Sequence, residues 1–213
     1  MIIAAHAGTG KTRFSKEIFD SIDFVCMPYK YYLPDGILSC EEIESKKADL
    51  GLVLRDEWPD NYIKAVINRY NENRYIIIPP IASVLEALRK EHIPYILCYP
   101  ERKAKDEYER RYKERGNTKN FLDIFIGYWD RFMDALESDP GKHHIVMKSG
   151  EYLTDLYPRF EEITKAEESY ISFEIDDEMM VEVNKLYQKT GYTIQTLFRR
   201  ELIHIAESKK LAD

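Results

Sequence analysis

Close to its start the chain reads Ala5-His6-Ala7-Gly8-Thr9-Gly10-Lys11-Thr12-Arg13, residue types whose spacing suits them to hold a polyphosphate. Two glycines let a backbone turn so that several N–H groups face one point. A lysine supplies a point charge, and a threonine hydroxyl is a hard oxygen ligand for a divalent cation. Ile2 to Ala5 is a short apolar run that reads as a buried strand, and a helix is expected to open at Lys11. Amides at a helix N-terminus, backed by its dipole, attract anions. The arrangement is that of a P-loop, in which Ala7 to Arg13 cradle the phosphates of ATP. Gly8 to Thr12 would bind the β-phosphate, Lys11 would bridge the β- and γ-phosphates, and Thr12 would be the Mg²⁺ ligand. The pattern asks for Gly, four residues, then Gly-Lys-Ser/Thr, and Ala5 stands where the first Gly belongs. Ala is costly there only if the position needs a positive φ.

A second stretch with chemistry in it runs from Glu101 to Lys119, with eight basic and five acidic residues in a chain whose net charge is −7. Arg111 and Arg115 lie four apart, on one helical face, with Arg110 beside them, and Gly116 is placed to end the helix. Guanidiniums that swing over a triphosphate stabilise charge on a moving phosphoryl group, so Arg110, Arg111 and Arg115 are candidate catalytic residues alongside Lys11. The competing reading is a solvated helix laced by pairs such as Glu107–Arg111.

The elements that must position these groups alternate between strand and helix. Helix Arg13–Ser21 should pack Phe14, Ile18 and Phe19 inward, and Ile22 to Met27 should be a second strand. An aromatic loop from Pro28 to Gly36 follows, at the strand end where sheets of this kind bind ligands, so Tyr29, Lys30, Tyr31 and Tyr32 are candidates for the second substrate, and Asp23, which opens the strand, is another. The tyrosines would equally serve to cover the core. Residues 40–54 and 57–73 read as helices, Tyr75–Ile78 as a strand buried on both faces, Ala82–Glu91 as a helix and Tyr95–Tyr99 as a strand. Asn120 to Leu136 reads as one long helix with Phe121, Ile124, Phe125, Tyr128, Trp129 and Phe132 inward. A strand His144–Met147 and a helix Tyr152–Phe160 close the domain, with His143 and His144 as strand-edge residues rather than ligands.

Composition sets outer bounds. The 213 residues, 44% hydrophobic and 32% charged, suit one domain of about 160 residues plus an appendage. No apolar run approaches the ~18 residues of a membrane span and no basic-then-apolar leader is seen, so a cytoplasmic protein with no membrane partner is expected. Cys26, Cys40 and Cys98 are widely spaced, which favours reduced thiols over zinc. The acidic balance argues against a general nucleic-acid coat.

The fold class expected is α/β, a parallel sheet wound with helices. With its P-loop, its Arg-rich helix after the fourth strand and its short closing strand, the region 1–160 resembles the P-loop nucleoside and nucleotide monophosphate kinase superfamily, adenylate-kinase-like members included. The run Tyr99-Pro100, Glu107-Tyr108, Arg111-Tyr112 and Arg115-Gly116-Asn117 also looks like that of kinase-like proteins of phages and bacteria. The resemblance implies transfer of the γ-phosphoryl of ATP, with Mg²⁺, to a nucleoside, a nucleotide or a base in DNA. Members commonly carry an acid at the end of the strand beside the P-loop strand, whereas Ile76-Ile77-Ile78 runs into Pro79-Pro80 without one. Asp23, Asp35, Asp56 and Glu57 are the substitutes on offer. A nucleotide-gated regulator without phosphotransfer is the alternative from another functional class.

After residue 160 the pattern changes. Tyr170 to Ile175 alternates strictly, with Ile171, Phe173 and Ile175 on one face; a helix then follows Asp176 or Asp177 with Met179, Val183 and Leu186, and Gly191 ends it. Thr193 opens another helix with Ile194, Leu197, Phe198, Leu202 and Ile205. A single strand with two helices cannot close its own core, so residues 161–213 are expected to pair across a homodimer, chiefly through 165–213. The order resembles the ribbon-helix-helix fold, which implies a ribbon of paired strands whose polar face, here Tyr170, Ser172 and Glu174, reads DNA. Seven basic against twelve acidic residues in this tail favour dimerisation over DNA. The full-length chain should therefore run as a dimer in light scattering, and loss of the tail should give a monomer that still binds ATP. A monomer at high micromolar concentration would rule out the paired ribbon.

Overall fold

A strand buried on both faces shows side chains to two layers of helices, and this decides the architecture. The computed structural model describes residues 1–32, 52–70, 72–167 and 177–191, with Thr196 and Arg200. Its strands in chain order are β1 (Ile2–Ala5), β2 (Ser21–Asp23), β3 (Tyr31–Tyr32), β4 (Val53–Leu54), β5 (Tyr75–Ile78), β6 (Tyr95–Pro100) and β7 (His143–Met147). Five of them form a parallel sheet in the order β2-β5-β1-β6-β7, while β3 and β4 pair antiparallel by themselves. Ile3 lies opposite Ile77 on one side and Ile96 on the other.

The helices are α1 (Lys11–Glu17), α2 (Met27–Lys30), α3 (Asp60–Arg69), α4 (Ala82–Lys90), α5 (Lys105–Glu114), α6 (Lys119–Phe125), α7 (Trp129–Glu137), α8 (Tyr157–Glu167) and α9 (Asp177–Thr190). Ile2 and Ala4 point into a layer filled from α3, α4, α5 and α7 by Tyr62, Val66, Leu85, Leu88, Tyr108, Tyr112, Trp129 and Met133. Ile3 and Ala5 point into the opposite layer, filled by Phe14 of α1, by Leu153 and Leu156 of a 3₁₀ turn, and by Phe160 of α8. Each fully buried isoleucine or leucine contributes about 1.5–3 kcal/mol, so the central strand is held from both sides. From β1 the chain runs to the edge strand β2, returns to β5 beside β1, then crosses β1 to β6 and β7 on the other side. Connections therefore reverse direction at β1, and the crevice at its C-terminal end is where a wound sheet accepts a ligand.

Several expected elements differ in extent. Helix α1 stops at Glu17 instead of Ser21, and Phe19 is 94% exposed on the turn beyond it, not packed. The second strand ends at Asp23 instead of Met27, because Met27–Lys30 coils into α2 with Pro28 in its first turn. Asp23 thus closes that strand rather than opening it. Of the helix expected over 40–54, residues 40–51 lie outside the described residues, and Val53–Leu54 is a strand. The next helix is shorter than 57–73, at Asp60–Arg69. The long helix expected over 120–136 is two, broken around Gly127, a poor helix former. The break turns Trp129 inward, where its Nε1 donates to the Arg102 carbonyl at 2.9 Å, and leaves Ile124 39% and Tyr128 56% exposed. Of the tail, α9 begins at Asp177 and ends at Gly191, whose φ is +69°, while Leu186 is exposed and Val183 half-buried. The expected strand 170–175, the Met179 side chain and the second helix's Thr193, Ile194, Leu197, Phe198, Leu202 and Ile205 lie outside the described residues, as do Asp35 and Cys40.

The closing helix runs through the expected boundary at 160/161 without interruption. Both carboxylate oxygens of Glu161 accept from Arg74, at 3.0 and 2.9 Å, and Glu161 also accepts from the Tyr75 hydroxyl. These partners, Arg74 first, hold its carboxyl down at about 2. Thr164 is buried, and Glu167 meets Lys142 and His143. A chain cut after Glu161 should therefore lose about 2–4 kcal/mol of stability relative to one cut after Glu167. Equal denaturant midpoints for the two would show that the last turns of α8 hold nothing.

Candidate functional site

Ala5 is the last residue of β1 and needs no positive φ, which is why its methyl is tolerated where the pattern has Gly. The positive φ values fall on Gly8, at +78°, and Gly10, at +92°. Both glycines are also crowded: a Cβ at Gly8 would lie 2.7 Å from the Tyr112 ring, and one at Gly10 would lie 3.0 Å from that of Tyr152.

The carbonyls of the loop are engaged one after another. Lys11 Nζ donates to the oxygens of Ala5 at 3.3 Å and His6 at 3.1 Å, and Thr9 Oγ1 also donates to His6 O, at 2.8 Å. The Tyr112 hydroxyl donates to Ala7 O at 3.0 Å and Arg111 Nη1 to Gly8 O at 3.2 Å. The Leu153 amide donates to Thr9 O at 3.0 Å and the Phe14 amide to Gly10 O at 2.9 Å. A trans peptide plane holds its N–H opposite its C=O, so the amides of Gly8, Thr9, Gly10 and Lys11 face away from these partners. Successive amides that converge at a helix N-terminus can form an anion nest.

Beside the nest, the Thr12 hydroxyl donates to Asp23 Oδ2 at 2.7 Å, which joins α1 to the end of β2. Asp23 Oδ1 is buried without a partner. Arg13 turns outward to Glu17, and its guanidinium lies 5.8 Å from the Tyr152 ring centroid.

The candidate arginines diverge. Arg111 is only 7% exposed and is held by Glu107, by Gly8 O and, through Nη2 at 3.1 Å, by Glu151 O, with its guanidinium 4.0 Å from the Tyr152 centroid. Arg110 pairs at the surface with Glu114, and Arg115 ends α5 exposed to solvent. Helix α5 thus matches neither expectation in full: one face is a solvated lacework, and the other is docked on the loop. Tyr29 packs its ring on Phe24 and Tyr62, both centroids at 5.4 Å, and so covers the core. Lys30 lies over the rings of Tyr31, at 5.3 Å, and Trp58, at 5.6 Å. On the edge strand, His143 Nε2 meets Glu167 at 2.9 Å, and His144 Nδ1 meets the Tyr99 hydroxyl at 3.3 Å.

Residues that the sequence reading gave no place in the site complete it. Glu107 accepts the Gly150 amide on both oxygens at 3.0 Å; burial raises its pKa, but that amide, Ser149 and Arg111 outweigh burial and leave it below the usual carboxylate range. His6 sits in an aromatic box of Tyr108, Phe125, Trp129 and Phe132, with ring centroids 5.8–6.3 Å away, and its Nε2 has no hydrogen-bond partner. Burial, then the charge of Lys11, push its pKa down to about 3. The Glu107–Arg111 spacing of four was a usable signal, whereas nothing local marks Tyr152, which arrives from the far end of the sheet. No protein-family model matches the chain and no curated protein sequence is similar to it. Among the described residues no helix is long and apolar enough to cross a membrane.

His6 yields a pH prediction. Its folded pKa lies below the ordinary value of 6.5, so the unfolded chain binds the extra proton, and the stability gained from neutral His6 is complete above pH 6.5 and lost as pH falls toward 3. Between pH 6.5 and 5, His6→Leu should remove a slope of up to about 1.4 kcal/mol per pH unit from the unfolding free energy. Denaturant melts at four pH values read this directly, and identical slopes in the two proteins would mean that His6 is not buried neutral.

Proposed function

We propose that the protein binds ATP at the loop from Ala7 to Arg13 and transfers its γ-phosphoryl to a nucleoside, a nucleotide or a base in DNA. The observation that carries this reading is the set of engaged carbonyls from Ala5 to Gly10, which turns each intervening N–H away from its carbonyl's donor in a loop that leads into the N-terminus of α1. The reversal of connections at β1 supports it, because the loop then lies in the crevice of a wound sheet. So does the strand order, in which the loop-bearing strand is central.

Each residue has a distinct task in this reading. The amides from Gly8 to Thr12 bind phosphate oxygens. The Lys11 ammonium exchanges the carbonyls of Ala5 and His6 for phosphate oxygens and neutralises charge between the β- and γ-positions. A divalent cation fits the pair formed by the Thr12 hydroxyl and the Asp23 carboxylate, both hard oxygen donors, one with an unpartnered buried oxygen. Mg²⁺ held there would supply charge neutralisation at the phosphates. Asp23 in this way supplies the acid that the end of β5 lacks. Lys30, past the end of β2, lies over the rings of Tyr31 and Trp58, a cluster on which a flat base would stack and an anionic group would meet the ammonium. Arg110, paired at the surface with Glu114, and Arg115, exposed at the end of α5, offer charge to an incoming anionic acceptor.

The tail belongs to the same proposal as a dimerisation element. Met180, Val181, Leu186 and Tyr187 of α9 are each more than 40% exposed, an apolar surface that a second copy of residues 165–213 would cover. Beyond α8 the tail touches the first domain through Asn68, which donates to Gly191 O, and through the Arg200–Glu91 ion pair at 2.9 Å. This contact also favours the regulator reading, in which nucleotide binding sets the tail's arrangement without turnover.

The two readings separate in one measurement, acceptor-dependent release of ADP across a panel of nucleosides, nucleotides and modified-base DNA. Turnover with one acceptor is expected, and Lys11→Ala should reduce it by at least about a hundredfold while costing about 1–3 kcal/mol of stability through the Ala5 carbonyl that loses its donor. Asp23→Asn should reduce it comparably and raise the Mg²⁺ concentration needed for half-maximal rate. Nucleotide-dependent DNA affinity without turnover would instead support the regulator, and undiminished turnover in Lys11→Ala would remove the P-loop assignment.

A further inference from the structure

Helix α5 carries the residues with which a mobile cover would be expected to reach over the phosphates, yet its inner face is already engaged. Tyr108 and Tyr112 are buried, and the Tyr112 ring lies so close to Gly8 that no Cβ fits between them. The Tyr112 hydroxyl and one Arg111 nitrogen donate to two successive loop carbonyls, Ala7 O and Gly8 O. The other Arg111 nitrogen donates to Glu151 O and pairs with Glu107, whose carboxylate also receives the Gly150 amide. The guanidinium is stacked on Tyr152, whose ring covers Gly10. Arg111 is thereby bonded to three segments at once: the phosphate loop, its own helix and the turn after β7.

We propose that Arg111 and Tyr112 are positioning residues that set the anion nest, and that Arg111 is not the arginine that meets the moving phosphoryl group. The inference rests on the nucleotide-binding reading above. The reason is geometric. A donor that draws Gly8 O outward turns the Thr9 amide inward, and a donor that draws Ala7 O outward does the same for the Gly8 amide. A guanidinium is suited to this because its planar fork bonds two carbonyls and a carboxylate together, whereas an ammonium is a point donor. Glu107 matters because it fixes the fork and balances its charge inside the site, so the arginine does not leave for the nucleotide's phosphates.

The proposal changes what a variant should do. An arginine acting on the γ-phosphoryl in the transition state leaves ADP and pyrophosphate binding unchanged and lowers the chemical rate. One that shapes the nest weakens every ligand that places a phosphate in it, with or without a γ-phosphoryl or a base. Calorimetric titration of the full-length protein with MgADP and with magnesium pyrophosphate distinguishes these outcomes. Arg111→Lys should raise the Kd of both ligands about tenfold, and Tyr112→Phe, which keeps the ring and removes only the hydroxyl, about threefold to tenfold. Lys113→Ala, which removes a charge paired with Glu109 on the outer face of α5, should change neither. Unchanged Kd values in both loop-facing variants, whether the ATP turnover rate falls or only the melting temperature does, would overturn the positioning role. If Arg111→Lys does not fold, the Tyr112→Phe titration decides alone. Wild-type protein that binds neither ligand overturns the nucleotide-binding reading itself, an outcome distinct from wild-type binding that the variants fail to alter.

Discussion

A peptide group cannot offer its N–H to a phosphate without pointing its C=O the opposite way, and that oxygen needs a donor once it is buried. The loop after β1, proposed to bind phosphate, meets the demand at each step from Ala5 to Gly10, and much of the rest of the structure can be read as the supply of those donors. Lys11, Thr9 and the Phe14 amide come from the loop and its own helix, so the motif partly serves itself. Tyr112, Arg111 and the Leu153 amide come from segments about 100 and 140 residues away. A buried carbonyl left without a donor costs about 1–3 kcal/mol, so several unmatched at once would compete with the stability of a whole domain. The loop conformation therefore depends on the sheet that brings α5 and the turn after β7 to its two sides.

The sheet does this because its strands are buried on both faces. Ala4 and Ala5, small and adjacent, let the two helical layers approach the end of β1 closely. The α5 layer then reaches Gly8 through tyrosines, and the opposite layer reaches Gly10 through Tyr152. Both glycines are needed twice over, for positive φ and for the absence of a Cβ under an aromatic ring. His6 is the inward-facing member of the same loop, and its box of four rings ties loop position to the packing of α5, α6 and α7. An imidazole in that box has to remain neutral, since a charge there would lose its hydration and lie near the Lys11 ammonium.

What could be read from the sequence was what local spacing controls. The strand and loop from Ile2 to Thr12 form one continuous segment, and the turn residues, the lysine and the hydroxyl follow one another along it, so their relation is written in order. The strands Tyr75–Ile78 and Tyr95–Pro100 were legible for a similar reason, as apolar runs bounded by proline or turn residues. Less was legible where tertiary contact overrides a local pattern. Phe19 has helical spacing but sits past the end of α1, and Gly127 breaks a pattern whose aromatic periodicity is otherwise continuous. Asp23 could be identified only as one of several acids; its hydrogen bond to Thr12 depends on β2 lying two strands from β1, which spacing does not reveal. Arg111 was picked out by residue type and assigned to the phosphates, but its burial and its hold on Gly8 O are products of how α5 docks.

The two cations at the loop show how one kind of charge takes on two tasks. Lys11 holds two neutral carbonyls, Ala5 O and His6 O, at 3.3 and 3.1 Å, and an anionic phosphate oxygen is a better acceptor than either. The exchange on ligand binding is therefore downhill, and a flexible four-carbon stem makes it geometrically easy. Arg111 already has a carboxylate partner in Glu107, in a site from which water is largely excluded, so its exchange would break a buried charge-assisted pair and two carbonyl bonds together. A phosphate would have to offset all three to draw it away. In the proposed reading the lysine is thus the cation that moves to the substrate and the arginine the one that stays with the protein, a division set by partner and burial, with both side chains carrying the same formal charge.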